Sequence, residues 1–272
     1  MNEEKELKKK AAAIRLLALK GIHAAGSGHT GGSLSIAEIL SVLYFDQMNI
    51  DPEHPDDPDR DRLVLSKGHA APAAYAALAL RGYFPKEDMM TLRQVGSHLQ
   101  GHPSIRKTKG VDMSSGSLGQ GLSAANGMAL AGQYHGKDYT VYCICGDGEL
   151  QEGQIWEAAM TSAHYKLDNL ILFVDHNRLQ IDGEVSSVMN VEPLDEKFRS
   201  FGWEVLDVDG HDVQALRASI LQAKTVKGRP TVIICNTVKG KGVSFMENQA
   251  GWHGAAPNDA QYEQAVQELT EV

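Results

Sequence analysis

The chain has 272 residues, enough for one large α/β domain with a buried core, and no Ser-, Gly- or Pro-rich run is long enough to be a linker. A formal net charge of -9 argues against a nucleic-acid-binding protein, because such a protein needs a basic face that releases counterions. Neither a secretory signal nor an apolar run of membrane-spanning length is found, and the three cysteines lie in apolar runs, so we expect a cytoplasmic protein without a membrane partner.

The first part of the chain is predicted to alternate between helices and a short strand. Apolar residues at helical spacing predict helices over Glu3 to Ala24 and over Ser35 to Phe45, and Arg62 to Leu65 is predicted as a strand. An Ala-rich helix from Ala70 to Leu80 follows. Between the first two helices, four glycines surround His29 and leave it on mobile backbone unless something packs against it. This pattern suits a loop that faces a ligand, although an ordinary flexible turn is the alternative.

Three further histidines lie in polar segments of this part of the chain. His69 comes directly before the Ala-rich helix, where free backbone N–H groups favour an anion. His98 and His102 lie in the segment Ser97 to Arg106. A zinc site built from these three histidines is an alternative, but no HxH or HExxH spacing supports it.

A second glycine-rich loop runs from Ser114 to Gly121 and leads into a predicted helix from Leu122 to Tyr134. Small residues in such a loop let the backbone, rather than side chains, meet a ligand ring. For Gly119 and Gly121, tight packing at the entry to the helix is a competing explanation.

The middle of the chain is predicted to form a βαβ unit. An apolar strand from Thr140 to Cys145 ends at Gly146-Asp147-Gly148, a helix follows from Glu152 to Tyr165, and a second strand, Leu170 to Asp175, ends at His176-Asn177. A crossover helix of this length makes the two strands parallel neighbours. Asp147 and Asn177 should therefore lie together at the carboxyl edge of a sheet, where α/β proteins bind ligands.

Asp147 and Asn177 together suit a magnesium ion that bridges to a diphosphate. The glycines on either side of Asp147 let a phosphate approach the backbone closely. Magnesium prefers oxygen ligands and takes one or two from carboxylates, while phosphate and water complete its shell; another divalent cation is an alternative. A plain Gly-Asp-Gly turn is less common in this strand, helix and strand context.

The last part of the chain adds strands and helices of the same kind. Strands are predicted over Trp203 to Val208 and Thr231 to Asn236, with a helix from Val213 to Thr225 between them and a final helix from Asp259 to Glu271. The loop after the second of these strands carries Lys239 and Lys241, and a lysine there can balance phosphate charge. We predict one domain over residues 1–272, with a doubly wound, mainly parallel sheet and helices on both faces.

The segment from Gly146-Asp147-Gly148 to Asn177 resembles the thiamine diphosphate motif, which opens with Gly-Asp-Gly and closes with Asn about thirty residues later. Further motifs are similar to those of transketolase, in transketolase order. They are Ser27-Gly28-His29, Leu65-Ser66-Lys67-Gly68-His69, Gly101-His102-Pro103, Gly116-Ser117-Leu118-Gly119-Gln120-Gly121, Leu150-Gln151-Glu152-Gly153 and Trp252-His253-Gly254. The resemblance covers nearly the whole chain and only the amino-terminal, diphosphate-binding domain of that enzyme.

The resemblance implies roles for individual residues. His29 and His102 would contact substrate, His69 the cofactor diphosphate, and His253 both, while Glu152 would belong to a relay between two active sites across a dimer interface. The remaining cofactor-binding residues would be Gly116, Ser117 and Leu118 beside the aminopyrimidine, together with Asp147, Gly148, Glu149, Asn177, Ile181 and Lys239. The magnesium ligands would be Asp147, Asn177 and Leu179. The alternative for Glu152 is a charged helix residue that faces solvent and has no role in the site. For Lys241 the alternative is likewise a lysine that faces solvent.

The resemblance also implies a reaction and a partner. The reaction would be transfer of a two-carbon ketol unit between sugar phosphates, with thiamine diphosphate and magnesium as cofactors. The family takes its activating Glu from a second domain, so we expect a partner, the carboxyl-terminal transketolase subunit, in an assembly of two copies of each chain. Thr30, where many relatives have Pro, predicts a less rigid loop after His29.

Other classes of protein fit the sequence less well. A deoxyxylulose-phosphate synthase and the α chain of a 2-oxo acid dehydrogenase are rivals that share the cofactor. The motifs around His102 and His253 count against the dehydrogenase, because they go with polyol donors. A regulatory paralogue that keeps the fold is disfavoured by the intact Asp147 and Asn177. A nicotinamide-binding domain is disfavoured because no GxGxxG follows an early strand.

Overall fold

The sheet at the centre of the protein has five parallel strands. In a computed structural model that describes residues 2–270, these strands occur in the order β1-β2-β3-β7-β6. The strands are β1 (Arg62–Leu65), β2 (Val141–Gly146), β3 (Leu170–His176), β6 (Glu204–Asp209) and β7 (Thr231–Asn236), and a separate antiparallel hairpin is formed by β4 (Leu179–Gln180) and β5 (Gly183–Glu184).

Helices connect these strands. They are α1 (Asn2–Ala25), α2 (Thr30–Leu34), α3 (Ala37–Val42), α4 (Ala71–Arg81), α5 (Gly121–Tyr134), α6 (Gly153–His164), α7 (Val185–Val188), α8 (Leu194–Ser200), α9 (Val213–Thr225) and α10 (Asp259–Thr270). Short 3-10 turns occur at Gly68–Ala70, Lys86–Thr91, Gly148–Gln151 and Ala250–Trp252, and a π-helical turn at Leu43–Gln47.

The register of the strands brings their polar ends to one edge. Gly146 is opposite Asp175, and His176 is opposite Asn236, so β2, β3 and β7 end at nearly the same height. Residues that directly follow these strands must therefore meet. The predicted parallel pairing of the two strands of the βαβ unit is confirmed.

Apolar side chains alternate between the two faces of the sheet. Tyr142 and Ile144 face one core, which also contains residues of α1, α3, α4 and α9, and Cys143 and Cys145 face a second core formed with α5, α6 and α8. A third cluster joins α1 and α10. Helices thus cover both faces, and the predicted doubly wound α/β fold is confirmed.

The structure differs from the sequence-based expectations mainly in short elements. The helix expected from Ser35 to Phe45 is α3 followed by the π-helical turn, and α2, α7, α8 and the β4–β5 hairpin were not predicted. Elements of two to seven residues carry too few apolar positions to show a period. Glu271, expected at the end of the last helix, lies outside the described residues. Across residues 2–270, no helix has the length and apolar character needed to cross a membrane.

Candidate active site

A cleft of about 170 Å³ opens at the carboxyl edge of the sheet. Its lining includes many of the residues singled out from the sequence, namely His69, Leu118, Asp147, Gly148, Glu149, Glu152, Asn177, Leu179, Ile181, Lys239 and His253. A larger cavity, of about 610 Å³, lies at the opposite edge, near Asp61 and Thr140. None of the predicted site residues lines that larger cavity, so the smaller cleft is the better candidate for a ligand site.

Asp147 is buried at the first turn after β2. Its Oδ1 accepts a hydrogen bond from the Gly148 N–H at 2.8 Å, and its Oδ2 accepts one from the Arg178 N–H. Burial, together with the nearby Asp175 carboxylate, raises the pKa of Asp147 to about 6. Among residues 2–270, Asp147 takes part in no ion pair, so a buried negative charge here lacks a cation. A divalent cation would fit this environment.

Two more oxygen atoms lie near Asp147, namely the amide oxygen of Asn177 and the carbonyl oxygen of Leu179. The Asn177 Oδ1 accepts a hydrogen bond from the Leu179 N–H at 3.1 Å, and the Asn177 Nδ2 donates one to Asp175 at 2.9 Å. Because a carboxylate can only accept, Asp175 fixes which end of the Asn177 amide points toward it. The amide oxygen of Asn177, the Leu179 carbonyl and the Asp147 carboxylate are hard oxygen ligands of the type that magnesium prefers.

Asp175 and Lys67 form a buried ion pair beneath the cleft. Their side chains are 0% and 2% exposed, and Asp175 also accepts hydrogen bonds from Ser35 at 2.7 Å and from Thr237. Lys67 donates a second hydrogen bond to the Gly32 carbonyl at 3.0 Å. This pair was not predicted from the sequence, yet a signal existed. A lysine and an aspartate at the ends of otherwise apolar strands need each other, because buried charges are rarely unpaired.

Lys239 reaches the cleft from the loop after β7. Its ammonium donates hydrogen bonds to the Leu179 carbonyl at 3.1 Å and to Nδ1 of His253 at 2.8 Å. Burial and the nearby Lys67 lower the pKa of Lys239 to about 8. Lys241 does not line the cleft and pairs with Glu247 at 3.3 Å. The preference for Lys239 over Lys241 therefore agrees with their positions.

Four imidazoles form a cluster above the cleft. The ring centroids of His69 and His253 are 5.0 Å apart, and His29 lies 5.1 Å from His69, 5.4 Å from His253 and 6.1 Å from His102. Burial, with help from nearby positive charges, lowers the pKa of His29 to about 4 and that of His253 to about 3. Burial likewise lowers the pKa of His69 and of His102. These imidazoles are therefore neutral near pH 7.

The segment that carries His29 is held in place rather than mobile. Thr30 begins α2, is buried, and donates a hydrogen bond to the Ala255 carbonyl at 2.7 Å. The Gly31 carbonyl accepts one from the Gly240 N–H at 3.0 Å. Nδ1 of His29 is buried and has no hydrogen-bond partner among the described residues. An orphaned imidazole nitrogen in a polar cluster is a candidate for contact with a ligand.

The second glycine-rich loop packs closely on the site. Gly119 has φ +84°, and a Cβ at this position would lie 2.6 Å from Cβ of Glu152. A Cβ on Gly121 would overlap Ser66. Tight packing, the competing explanation from the sequence, accounts for both glycines. Glu149 reinforces this contact, since its carboxylate accepts hydrogen bonds from the Gly119 N–H at 2.9 Å and the Gly146 N–H at 3.1 Å.

The other predicted residues lie around the mouth of the cleft. Gly116 is next to His102, with 3.3 Å between the position of a Cβ and the ring, and Ser117 beside it is exposed. Glu152 is exposed at the rim, and Ile181 is 67% exposed. The structure thus places Gly116 and Ser117 beside the cluster of imidazoles and outside the lining of the cleft itself.

The zinc alternative finds no support. In the part of the chain that the structure describes, no group of three or more His, Cys, Asp or Glu side chains is arranged to hold a metal ion. His98 instead contacts Asp88 at 3.1 Å and packs edge-on against the ring of Phe84.

The doubly wound domain has a polar site at its carboxyl edge, made of a carboxylate, an amide, buried lysines and neutral imidazoles. Such a site is typical of enzymes that bind an anionic cofactor there. Comparison with known proteins specifies the family. Residues 7–270 match the family described as the thiamine diphosphate binding domain of transketolase.

Similar proteins include separate subunits and single-chain enzymes. The chain is 50% identical to the 6-deoxy-6-sulfo-D-fructose transketolase subunit SqwG of a Clostridium species, over 99% of this chain and 98% of that protein. It is 44% identical to one subunit of the apulose-4-phosphate transketolase of Actinobacillus succinogenes, over 97% and 96%. It is 42% identical to human transketolase, over 97% of this chain but only 42% of that enzyme.

Solved structures agree with these similarities. Transketolase of Campylobacter jejuni superposes with a TM-score of 0.92 at 36% identity, over 97% of this chain and 42% of that chain. Transketolase of Pichia stipitis in complex with sedoheptulose 7-phosphate gives 0.93 at 34% identity, over 97% and 40%. The chain therefore belongs to the transketolase family. The enzyme class and the resemblance to the amino-terminal subunit of a two-chain transketolase are confirmed.

Proposed function

We propose that this single domain is one subunit of a two-chain transketolase, which transfers a two-carbon ketol unit between a ketose and an aldose. The observation that carries the proposal is the 50% identity to a transketolase subunit over nearly the full length of both chains. The cleft at the carboxyl edge supports it, because the polar residues there suit a diphosphate and a divalent cation.

Magnesium would be held by Asp147, Asn177 and the Leu179 carbonyl, and another divalent cation of similar size would also fit. The support is the buried Asp147 carboxylate, which forms no ion pair among residues 2–270 and whose pKa is raised to about 6 by burial and by the nearby Asp175 carboxylate. Lys239 donates to the Leu179 carbonyl at 3.1 Å, so the same ammonium is well placed to contact phosphate oxygens beside the metal.

Thiamine diphosphate, when bound, supplies the carbanion-stabilising chemistry of ketol transfer. In our proposal Lys239, His69 and His253 contact its diphosphate, and Gly148, Glu149 and Ile181 complete the cofactor contacts. Gly116, Ser117 and Leu118 border the aminopyrimidine, beside the imidazole cluster.

The substrate would lie against His29, His102 and His253, which would move protons at its hydroxyl and carbonyl oxygens. Their lowered pKa values keep the imidazoles neutral, so each can accept a proton from a hydroxyl at pH 7. Glu152, exposed at the rim, is free to meet a residue of another protein chain, which the proposed relay requires.

A carboxyl-terminal subunit would supply the rest of the enzyme, in an assembly of two copies of each chain. The chain spans 42% of human transketolase, and a carboxyl-terminal subunit would account for the larger, unmatched part of that enzyme. Exposed apolar side chains next to the cleft support a covered face. Ile181 is 67% exposed and Met189 is 61% exposed, and the Met189 carbonyl accepts a hydrogen bond from Gln151 of the cleft at 2.9 Å.

The donor would be a ketose with an anionic group at the end far from its carbonyl. Two similar subunits are named for a sulfonated ketose and for a ketose phosphate, and both substrates share this feature. We take 6-deoxy-6-sulfo-D-fructose as the first candidate and sugar phosphates as the second. The cytoplasmic location expected from the sequence stays a prediction.

The test is reconstitution. The chain should be purified alone and together with a candidate carboxyl-terminal transketolase subunit, then assayed for ketol transfer from the sulfonated ketose, xylulose 5-phosphate and apulose 4-phosphate. We expect activity only from the complex, and only with thiamine diphosphate and magnesium. Full activity of the chain by itself would contradict the two-chain proposal, and activity after chelation of divalent ions would contradict the metal.

A further inference from the structure

A buried chain of polar side chains connects three segments around the cleft. Arg15 of α1 donates hydrogen bonds to both carboxylate oxygens of Glu38, at 2.7 and 2.6 Å, and one to the Leu34 carbonyl at 3.0 Å. Nδ1 of His211 lies 3.0 Å from the same Glu38 carboxylate, and Nε2 of His211 lies 2.8 Å from the backbone nitrogen of Val238. This series of contacts thus ends at Val238, the residue next to Lys239.

The contacts of His211 determine which of its two ring nitrogens carries the proton. The Val238 N–H can only donate, so Nε2 must be the unprotonated nitrogen, and Nδ1 carries the proton and donates it to Glu38. Burial alone would raise the pKa of Glu38, but Arg15 and His211 outweigh it and lower that pKa to about 2. Glu38 is therefore a fixed acceptor, which holds the imidazole in this one orientation.

The segment that His211 contacts is anchored on both sides of the Val238 N–H, and the Val238 carbonyl accepts a hydrogen bond from the Lys241 N–H at 3.2 Å. Thr237 donates to Asp175, and the Lys239 carbonyl accepts from the Asn248 N–H at 2.9 Å. The Val238 N–H lies between these two contacts and has His211 as its acceptor. Because Lys239 follows Val238 directly, a fixed Val238 amide also fixes the backbone position from which the Lys239 side chain extends.

We propose that His211 is a positioning residue that holds Val238 so that Lys239 faces the Leu179 carbonyl and His253. The inference rests on the proposed function for one consequence only, the contact of Lys239 with the cofactor diphosphate. The His211 side chain bonds to Glu38 and to Val238, and neither of these residues lines the cleft. In this proposal its influence on a ligand passes through the neighbouring Lys239, which does line the cleft.

Two amide variants of His211 separate its two contacts. In His211→Gln the side-chain oxygen reaches the place of Nε2 and can accept from the Val238 N–H. In His211→Asn the shorter amide keeps a donor near Nδ1 for Glu38 but leaves Val238 without an acceptor. Glu38 keeps Arg15 in both variants, so both should fold, and their melting temperatures serve as the check.

The first measurement is hydrogen exchange of the Val238 amide in the full chain by NMR, without ligand. We expect exchange to be at least about tenfold faster in His211→Asn and little changed in His211→Gln. The second is titration of the complex with thiamine diphosphate in excess magnesium. We expect His211→Asn to weaken binding by about tenfold, as for other residues that orient a ligand-contacting group, and His211→Gln by less than about threefold.

A double-mutant cycle makes the role of Lys239 explicit. If His211 acts through Lys239, His211→Asn should change affinity by less than about twofold in a Lys239→Ala background. Equal effects of the Gln and Asn variants, or additivity with Lys239→Ala, would overturn the proposal. Failure of the wild-type complex to bind thiamine diphosphate would count against the proposed function alone, since exchange at Val238 would still decide whether His211 anchors this segment.

Discussion

Replacing Lys67 by Met should strongly destabilise the protein. The substitution leaves Asp175, which is fully buried, without its only ion-pair partner among the described residues. Removing one partner of a buried pair typically costs about 3–5 kcal/mol. Ser35, Thr237 and Asn177 still donate hydrogen bonds to the Asp175 carboxylate, so we expect a loss near the lower end, about 3 kcal/mol at pH 7.

The loss should depend on pH in a defined direction. Burial alone would raise the pKa of Asp175, but Lys67 and the hydrogen bonds outweigh it and hold that pKa below its usual value. The wild-type carboxylate therefore stabilises the fold above about pH 4 and loses this effect as the pH falls through its lowered pKa. In the variant, burial prevails and the pKa rises, so acid protonates Asp175 and relieves the penalty. The difference between the two proteins should shrink from about pH 7 to about pH 4.5.

Urea unfolding, monitored by circular dichroism at both pH values, measures this difference in the free energy of unfolding. Lys137→Met is a matched control, because Lys137 pairs with Asp59 at 2.6 Å on the surface, with side chains 38% and 59% exposed. An exposed pair should contribute about 1 kcal/mol or less. A loss in Lys67→Met no larger than in this control, or one that grows as the pH is lowered, would refute the reasoning.

Four further predictions concern the cleft and the segments beside it. Asp147→Ala should abolish magnesium-dependent binding of thiamine diphosphate without unfolding the protein, and unchanged affinity in a calorimetric titration would exclude the metal assignment. Because burial and Asp175 raise the pKa of Asp147 to about 6, the stability of the wild type relative to the variant, without metal, should decline as the pH rises through 6. His102→Ala should lower turnover by about a hundredfold with a smaller effect on cofactor affinity, while His253→Ala should lower both; steady-state rates and titrations distinguish them. Gly121→Ala should cost about 1–3 kcal/mol by thermal unfolding, because its Cβ overlaps Ser66; an unchanged melting temperature would contradict this close packing.

Long-range order in this protein was predictable where a pattern repeats along the chain. The strands Val141–Gly146 and Leu170–His176 are largely apolar, as expected for strands covered on both faces, and their parallel pairing follows from helix α6 between them. The convergence of Asp147 and Asn177 at one edge needed nothing more. Both residues directly follow neighbouring strands, so their proximity is a property of the sheet.

Contacts between distant segments were not predictable in this way. Lys67 and Asp175 are 108 residues apart, and His211 and Glu38 are 173 apart, and no periodicity relates them. Their pairing depends on how α1, α3 and the strand ends pack together. Helix α2 was also missed, because all five of its residues are buried and packing, rather than local preference, stabilises it. The two-residue strands β4 and β5 are too short to show a period.

The hydrogen bond from Thr30 to the Ala255 carbonyl has a consequence for biosynthesis. These two residues are 225 positions apart, so the segment that carries His29 leaves the ribosome long before its anchor exists. At about 5–20 residues per second, the delay amounts to roughly 10–45 s. Throughout that interval the residues of α2 lack the Ala255 carbonyl and the Gly240 N–H, which hold them in the finished protein. The carboxyl edge of the sheet therefore cannot be complete until translation has passed residue 255, although His29 is made near the beginning of the chain.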